Sequence, residues 1–190
     1  MTLQPENEAA IRSIYAAAGK TLPSPSNIVV IAFADHNSLI ATGETTHPDQ
    51  ISPFPLGLTT LSAHCFPNGR VTELTVEQAI AEIEDIVMPW QRRLPHPATL
   101  FVSGDAIIEI AEVAGMPKHL DPWMLSIDTL EQLFNRWVAR LQGRTAGHDD
   151  LPLTARFSTA LLVLRECLHH LKFHAVTIVR PVLQAAAPQD

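Results

Sequence analysis

The spacing of hydrophobic positions changes several times along the chain, and each change marks an element. In residues 5–19, Ile11, Ile14, Tyr15 and Ala18 recur at helical spacing, with Pro5 suited to a first turn and Gly19 to a left-handed stop. Residues 27–33, NIVVIAF, are a nearly unbroken β-branched run and predict a buried strand. ADHN follows as a turn, with Asp35 and Asn37 supplying the turn chemistry, and residues 38–45 read as the returning strand of a hairpin. THPDQISPFP reads as an irregular, proline-rich connection. LGLTTLSAHCF, residues 56–66, reads as a third strand ended by the turn signal PNG.

Helical spacing then returns. Thr75 and Gln78 have capping-box spacing, and Val76, Ile80, Ile83 and Val87 keep one face until Pro89 ends the pattern. Residues 98–104, ATLFVSG, form a strand that runs directly into the helix DAIIEIAEVAG, which stops at Gly115 before Pro117. WMLSI, residues 123–127, is a short strand. Asp128 and Glu131 open an amphipathic helix carrying Leu130, Leu133, Phe134, Trp137, Val138 and Leu141, closed by Gly143. RTAGHDD is a polar hinge loop, and a long helix starts near Leu153. AVTIVRP, residues 175–181, fits either a continued helix or a last strand, and QAAAPQD reads as a disordered tail.

The order is one helix, three strands, then alternating strands and helices. Strands in sequence make an antiparallel meander, and later β–α–β alternation adds strands in parallel. The expected fold is therefore α+β. It has a mixed sheet of a three-strand meander plus one or two later strands, with helices packed on it and a long C-terminal helix. This order resembles that of ribonuclease-H-like domains. We expect a single domain over residues 1–190, with an N-terminal helix (1–20), a sheet-containing core (27–127) and a helical C-terminal part (128–180).

Composition narrows the function classes. A net charge of −7 at pH 7, with no basic cluster longer than Arg92-Arg93, argues against nucleic acid as a partner. The longest apolar run, residues 28–34, is far too short for a membrane span. Two isolated cysteines, Cys65 and Cys167, and an N-terminus without a secretory pattern place the expected protein in a reducing cytoplasm. The abundance of Ala, Leu, Pro and Arg suits a bacterial source.

Five features carry candidate chemistry or binding. LRECLHHLKFH puts Glu166, His170 and His174 at i, i+4 and i+8. Positions four apart on a helix differ by only about 40° around the axis, so this row could hold one divalent metal. The plainer reading gives Leu161, Leu164, Leu168 and Leu171 to the core, with Arg165, Glu166, His169 and Lys172 facing solvent. FVSGDA delivers Ser103, Gly104 and Asp105 from a strand onto a helix N-terminus, a place that binds anions or, through Asp105, a cation. In the ribonuclease-H-like order, the carboxylates would be Asp35, one of Glu82, Glu84 or Asp85, and Asp105, converging on two metals. His64-Cys65, read on a strand, would point to opposite faces and so could not form a nucleophile–base pair. Trp123, after a proline in HLDPWML, is a candidate interface anchor.

No constellation is complete. The leading expectation is a non-catalytic binding, regulatory or assembly module that meets a protein partner or a second copy of itself and needs no cofactor. The alternative is a metal-dependent hydrolase or ribonuclease-H-like enzyme with His and carboxylate ligands.

Overall fold

A computed structural model describes residues 4–117, 122–144 and 150–179. Its centre is a six-stranded mixed sheet in the order β3-β2-β1-β4-β6-β5. The strands are β1 (Ile28–Ala32), β2 (Ser38–Gly43), β3 (Gln50–Phe54), β4 (Thr99–Ser103), β5 (Trp123–Ser126) and β6 (Ala175–Ile178). The meander β1-β2-β3 is antiparallel, β4 runs parallel to β1, β6 parallel to β4, and β5 antiparallel to β6. The helices are α1 (Pro5–Gly19), α2 (Leu58–Cys65), α3 (Glu73–Val87), α4 (Asp105–Val113), α5 (Ile127–Leu141) and α6 (Ala155–His170).

Successive strand residues point to opposite faces, so β1 serves two cores. Ile28 and Val30, with Leu39, Ala41 and Phe101, pack against Ile11, Tyr15 and Ala18 of α1. Val29 and Ile31, with Ile40, Leu100 and Val102, belong to the larger core formed with the other helices. A strand buried on both faces reads as a continuous apolar run, which is how NIVVIAF announced itself.

The third strand is where the sequence reading fails. Residues 56–66 are helical from Leu58, and the strand lies in the proline-rich connection, at Gln50–Phe54. Two physical signals explain this. Leu58, Leu61, Ser62 and Cys65 are the buried positions of α2, spaced at three and four. Pro53 has no N–H to give a ladder, but β3 is an edge strand and has no neighbour on its outer side.

Helix starts also moved. The capping box of α3 joins Thr72 and Thr75, with Thr72 Oγ1 accepting from the Thr75 N–H at 3.2 Å. Ser126, not Asp128, caps α5 by accepting from the Thr129 N–H at 3.1 Å. At the end of α6, Lys172 adopts φ 64° and the Phe173 N–H reaches back to the Leu168 carbonyl at 3.0 Å. This is a left-handed cap closure, and it stops the helix before His174.

Residues 175–178, which fit either a continued helix or a last strand, form a strand inserted between β4 and β5, so the C-terminal part completes the sheet. α6 is buried from Phe157 to Leu164 and again from Glu166 to Leu168, because α2, α3, α4 and α5 all pack on it. Most of the apolar surface of α6 is thus covered within the chain. Most of the RTAGHDD loop and all of the QAAAPQD tail lie outside the described residues. Among the described residues, no helix is long and apolar enough to cross a membrane.

Candidate functional site

Parallel pairing of β1 and β4 aligns Ala32 with Ser103, which brings both carboxyl ends to one edge of the sheet. A cleft of about 250 Å³ opens there. Phe33 and Ala34 line it from the end of β1, Asn37 from the hairpin turn, Ser103 to Asp105 from the β4–α4 junction, and Asn7 from α1. Open α/β sheets hold ligands at this edge.

The β4–α4 junction is shaped by Gly104. It takes φ 144° and ψ 141°, and it is the N-cap of α4. The Phe33 N–H donates to the Ser103 carbonyl at 2.8 Å, tying the two strand ends together. Neither Ser103 nor Asp105 acts as a side-chain cap, and α4 starts with no side-chain hydrogen bond to its first turn. The Ile107 N–H turns back to the Gly104 carbonyl at 3.0 Å, so the Asp105 and Ala106 N–H groups and the positive end of the helix dipole stand uncapped by any side chain beside the cleft. Asp105 is exposed and, among the described residues of the lining, is the one carboxylate, with no Lys, Arg or His beside it.

Among the described residues, no group of potential metal ligands within 4.8 Å of one another joins Asp35, one of Glu82, Glu84 or Asp85, and Asp105. Asp35 is used by α2: its Oδ1 accepts from Thr59 Oγ1 at 2.7 Å, and its carbonyl accepts from the Thr59 N–H at 2.9 Å. Glu82 lies against His64, and Glu84 against His170. Only Asp105 of that set lines the cleft.

His64 and Cys65 are on a helix, not a strand, and they converge after all. His64 Nδ1 is 2.8 Å from Glu82 Oε2, and Cys65 Sγ donates to the same oxygen at 3.3 Å. This does not activate the thiol. Burial pushes the Cys65 thiol up to about 12, and the hydrogen bond and charge of Glu82 add to the shift. Cys167, fully enclosed in α6, is pushed up still further by burial and by Glu166. In both, burial disfavours the thiolate that nucleophilic attack requires.

The histidine-rich stretch is split by the structure. Glu166, assigned by pattern to the wet side, is buried at 2 % exposure. His170 stays beside it, with Nε2 3.3 Å from Glu166 Oε2, but His174 lies beyond the helix end and is exposed. The third member of the group is Glu84 of α3, whose Oε1 is 3.1 Å from His170 Nε2. No spacing rule could have joined residues 84 and 170; only the packing of α3 on α6 does. Trp123 is equally displaced from its expected role. It is buried in β5 at 2 % exposure, and its Nε1–H donates to the Pro117 carbonyl at 2.8 Å, so it is a core residue and not a surface anchor.

No family model matches the chain, and no curated protein matches it. Solved structures do. The chain is similar in fold to Ppx/GppA phosphatases. The type II variant from Aquifex aeolicus superposes with a TM-score of 0.69 over 90% of this chain and 59% of that one, at 14% identity. An exopolyphosphatase from Cytophaga hutchinsonii gives 0.67 over 92% of this chain and 59% of that one, at 15% identity. An exopolyphosphatase-like protein gives 0.68 over 94% and 62%, at 11% identity. At such identities the likeness is one of fold. The chain spans about three fifths of the length of these structures.

Proposed function

We propose that this chain is one lobe of a phosphatase-type hydrolase, and that it receives a phosphate-bearing ligand in the cleft between Phe33, Asn37 and the Ser103–Asp105 junction. The observation that carries this reading is the coincidence of two independent facts. The fold matches phosphatases along nearly its whole length, and the cleft sits where the α4 N-terminus presents uncapped amides. Those amides suit non-bridging phosphate oxygens. Ser103 and Asn37 would supply further hydrogen-bonding groups, and Asp105 would ligate a divalent cation bound to the phosphate. Such a cation would offset the anionic charge, which no basic side chain of the lining does. The coverage of three fifths leaves room for a second lobe to close the cleft and add the remaining groups.

A second reading keeps the same ligand and removes the chemistry. Among its described residues the lining has a single carboxylate and no cation, which is sparse for phosphoryl transfer and sufficient for binding.

Inorganic polyphosphate and a nucleoside triphosphate, each with Mg²⁺, test both readings. Binding that Asp105→Asn weakens at least tenfold supports the cleft. Phosphate release lost in the same variant supports the hydrolase, and binding without release supports the second reading. Failure to bind either ligand sinks both.

A further inference from the structure

Away from the cleft, α3 and α6 bring together a group that the proposed activity does not use. We infer that Glu84, Glu166 and His170 form a binding site for one divalent transition-metal ion of the zinc class.

The distances carry the first part of the argument. His170 Nε2 stands 3.1 Å from Glu84 Oε1 and 3.3 Å from Glu166 Oε2, and all three ligand atoms lie within 4.8 Å of one another. A tetrahedral ion with bonds of about 2.0–2.2 Å to N and O ligands sets neighbouring ligand atoms roughly 3.3–3.6 Å apart. Both distances from His170 Nε2 are within a few tenths of an ångström of that spacing, and the two carboxylate oxygens lie no more than 4.8 Å apart. Two carboxylates from different helices meet at one imidazole nitrogen, and such a convergence is relieved by a positive charge between them.

The surroundings resemble the support that a metal ligand needs. Glu166 is the most buried of the three, and its other oxygen, Oε1, accepts from Arg165 Nη1 at 2.6 Å. Arg165 is itself held 2.8 Å from Glu131 Oε1 and over the Phe134 ring, 4.4 Å from its centre. Glu131 also meets His169 Nε2 at 2.6 Å. A hydrogen-bonded outer layer of this kind fixes a ligating carboxylate and aims its free oxygen, here Oε2, at the ion.

The side chains of His170 and Glu84 are 25% and 37% exposed. That gives an entry path and an open side where water completes the coordination. One imidazole with two carboxylates is a donor set for zinc and similar ions more than for Mg²⁺, which favours all-oxygen ligands. The ion would staple α3 to α6 by its bonds to both helices. The other mixed group, His64, Cys65 and Glu82, has a His side chain 74% exposed and, among the described residues, no such outer layer, so it serves as an internal control.

The test uses untagged full chain stripped with EDTA, titrated with Zn²⁺ alone by calorimetry and followed by thermal shift. One equivalent per chain and a raised Tm are expected, with affinity at least 100-fold lower in both Glu84→Gln and His170→Ala and unchanged in Cys65→Ala. Glu84→Gln changes a partly exposed side chain with little loss of shape, and circular dichroism of both apo variants checks that each is folded. Absence of Zn²⁺ binding in the wild type, survival of tight binding in either variant, or its loss in Cys65→Ala overturns the site and leaves His170 as a hydrogen-bond bridge between two carboxylates.

Discussion

Gly104 lies so close to Phe33 that a Cβ built on it would stand 2.8 Å from the Phe33 carbonyl oxygen. The same residue has φ 144°, a conformation that side chains other than glycine's rarely adopt. Two strand ends are thus joined at a point where only glycine fits. Gly104→Ala should cost about 1–3 kcal/mol from backbone strain alone, with the steric contact added. Urea unfolding measures the loss. A variant as stable as the wild type would mean that the junction relaxes easily and does not hold the cleft in shape.

Arg165 and Glu131 make contrasting substitutions. Arg165→Met leaves the Glu166 carboxylate buried without its guanidinium, so a loss of about 3–5 kcal/mol is expected. Glu131→Gln changes a partly exposed member of the same network and should cost below about 1 kcal/mol. Equal effects would show that the ion pair at Glu166 is not the anchor of the group.

Tyr15 behaves in the opposite sense. Its ring is fully buried against the sheet, and its hydroxyl has no hydrogen-bond partner among the described residues. An unsatisfied buried hydroxyl costs about 1–3 kcal/mol, so Tyr15→Phe should leave stability unchanged or raise it within that range. Burial, with Asp49 and Glu44 nearby, pushes this phenol up to about 12. A marked loss on Tyr15→Phe would require a partner for the hydroxyl in solution.

The thiols predict a pH dependence. Cys65 is raised from 9.0 to about 12, so the folded state keeps a proton that the unfolded chain releases. Its contribution to stability is fully present below about pH 9 and is lost as pH rises through the range to about 12. Denaturation midpoints of wild type and Cys65→Ala should therefore converge as pH rises from 8 toward 11, beyond any constant difference due to packing. Both thiols should also react with iodoacetamide far more slowly in the native state than in urea at pH 8. Rapid native labelling of Cys65 would contradict its buried, protonated state.

Much of the fold is legible in the residues themselves, because its signals are local. NIVVIAF, the hairpin turn at Asp35 and Asn37, the leucines of α5 and α6, and the Ser103–Asp105 junction each declare an element within a short window. The α+β class follows from their order. Where two local signals competed, the weaker-looking one won: Leu58, Leu61 and Cys65 had helical spacing inside a stretch that looked like a strand, and Pro53 sits on an edge where its missing N–H costs nothing.

What the tertiary structure alone decided is which residues meet. Helical geometry put Glu166 beside His170, but the cap at Lys172 removed His174 and the packing of α3 supplied Glu84. Burial of Glu166 and Trp123 likewise depends on neighbours far away in sequence, since amphipathic patterns describe one element's faces and not what covers them. Periodicity is a property of the chain over a few turns. A site built from residues 84, 166 and 170, or from residues 33, 37 and 104, exists only because the sheet and the helix layer bring separate segments within a few ångströms.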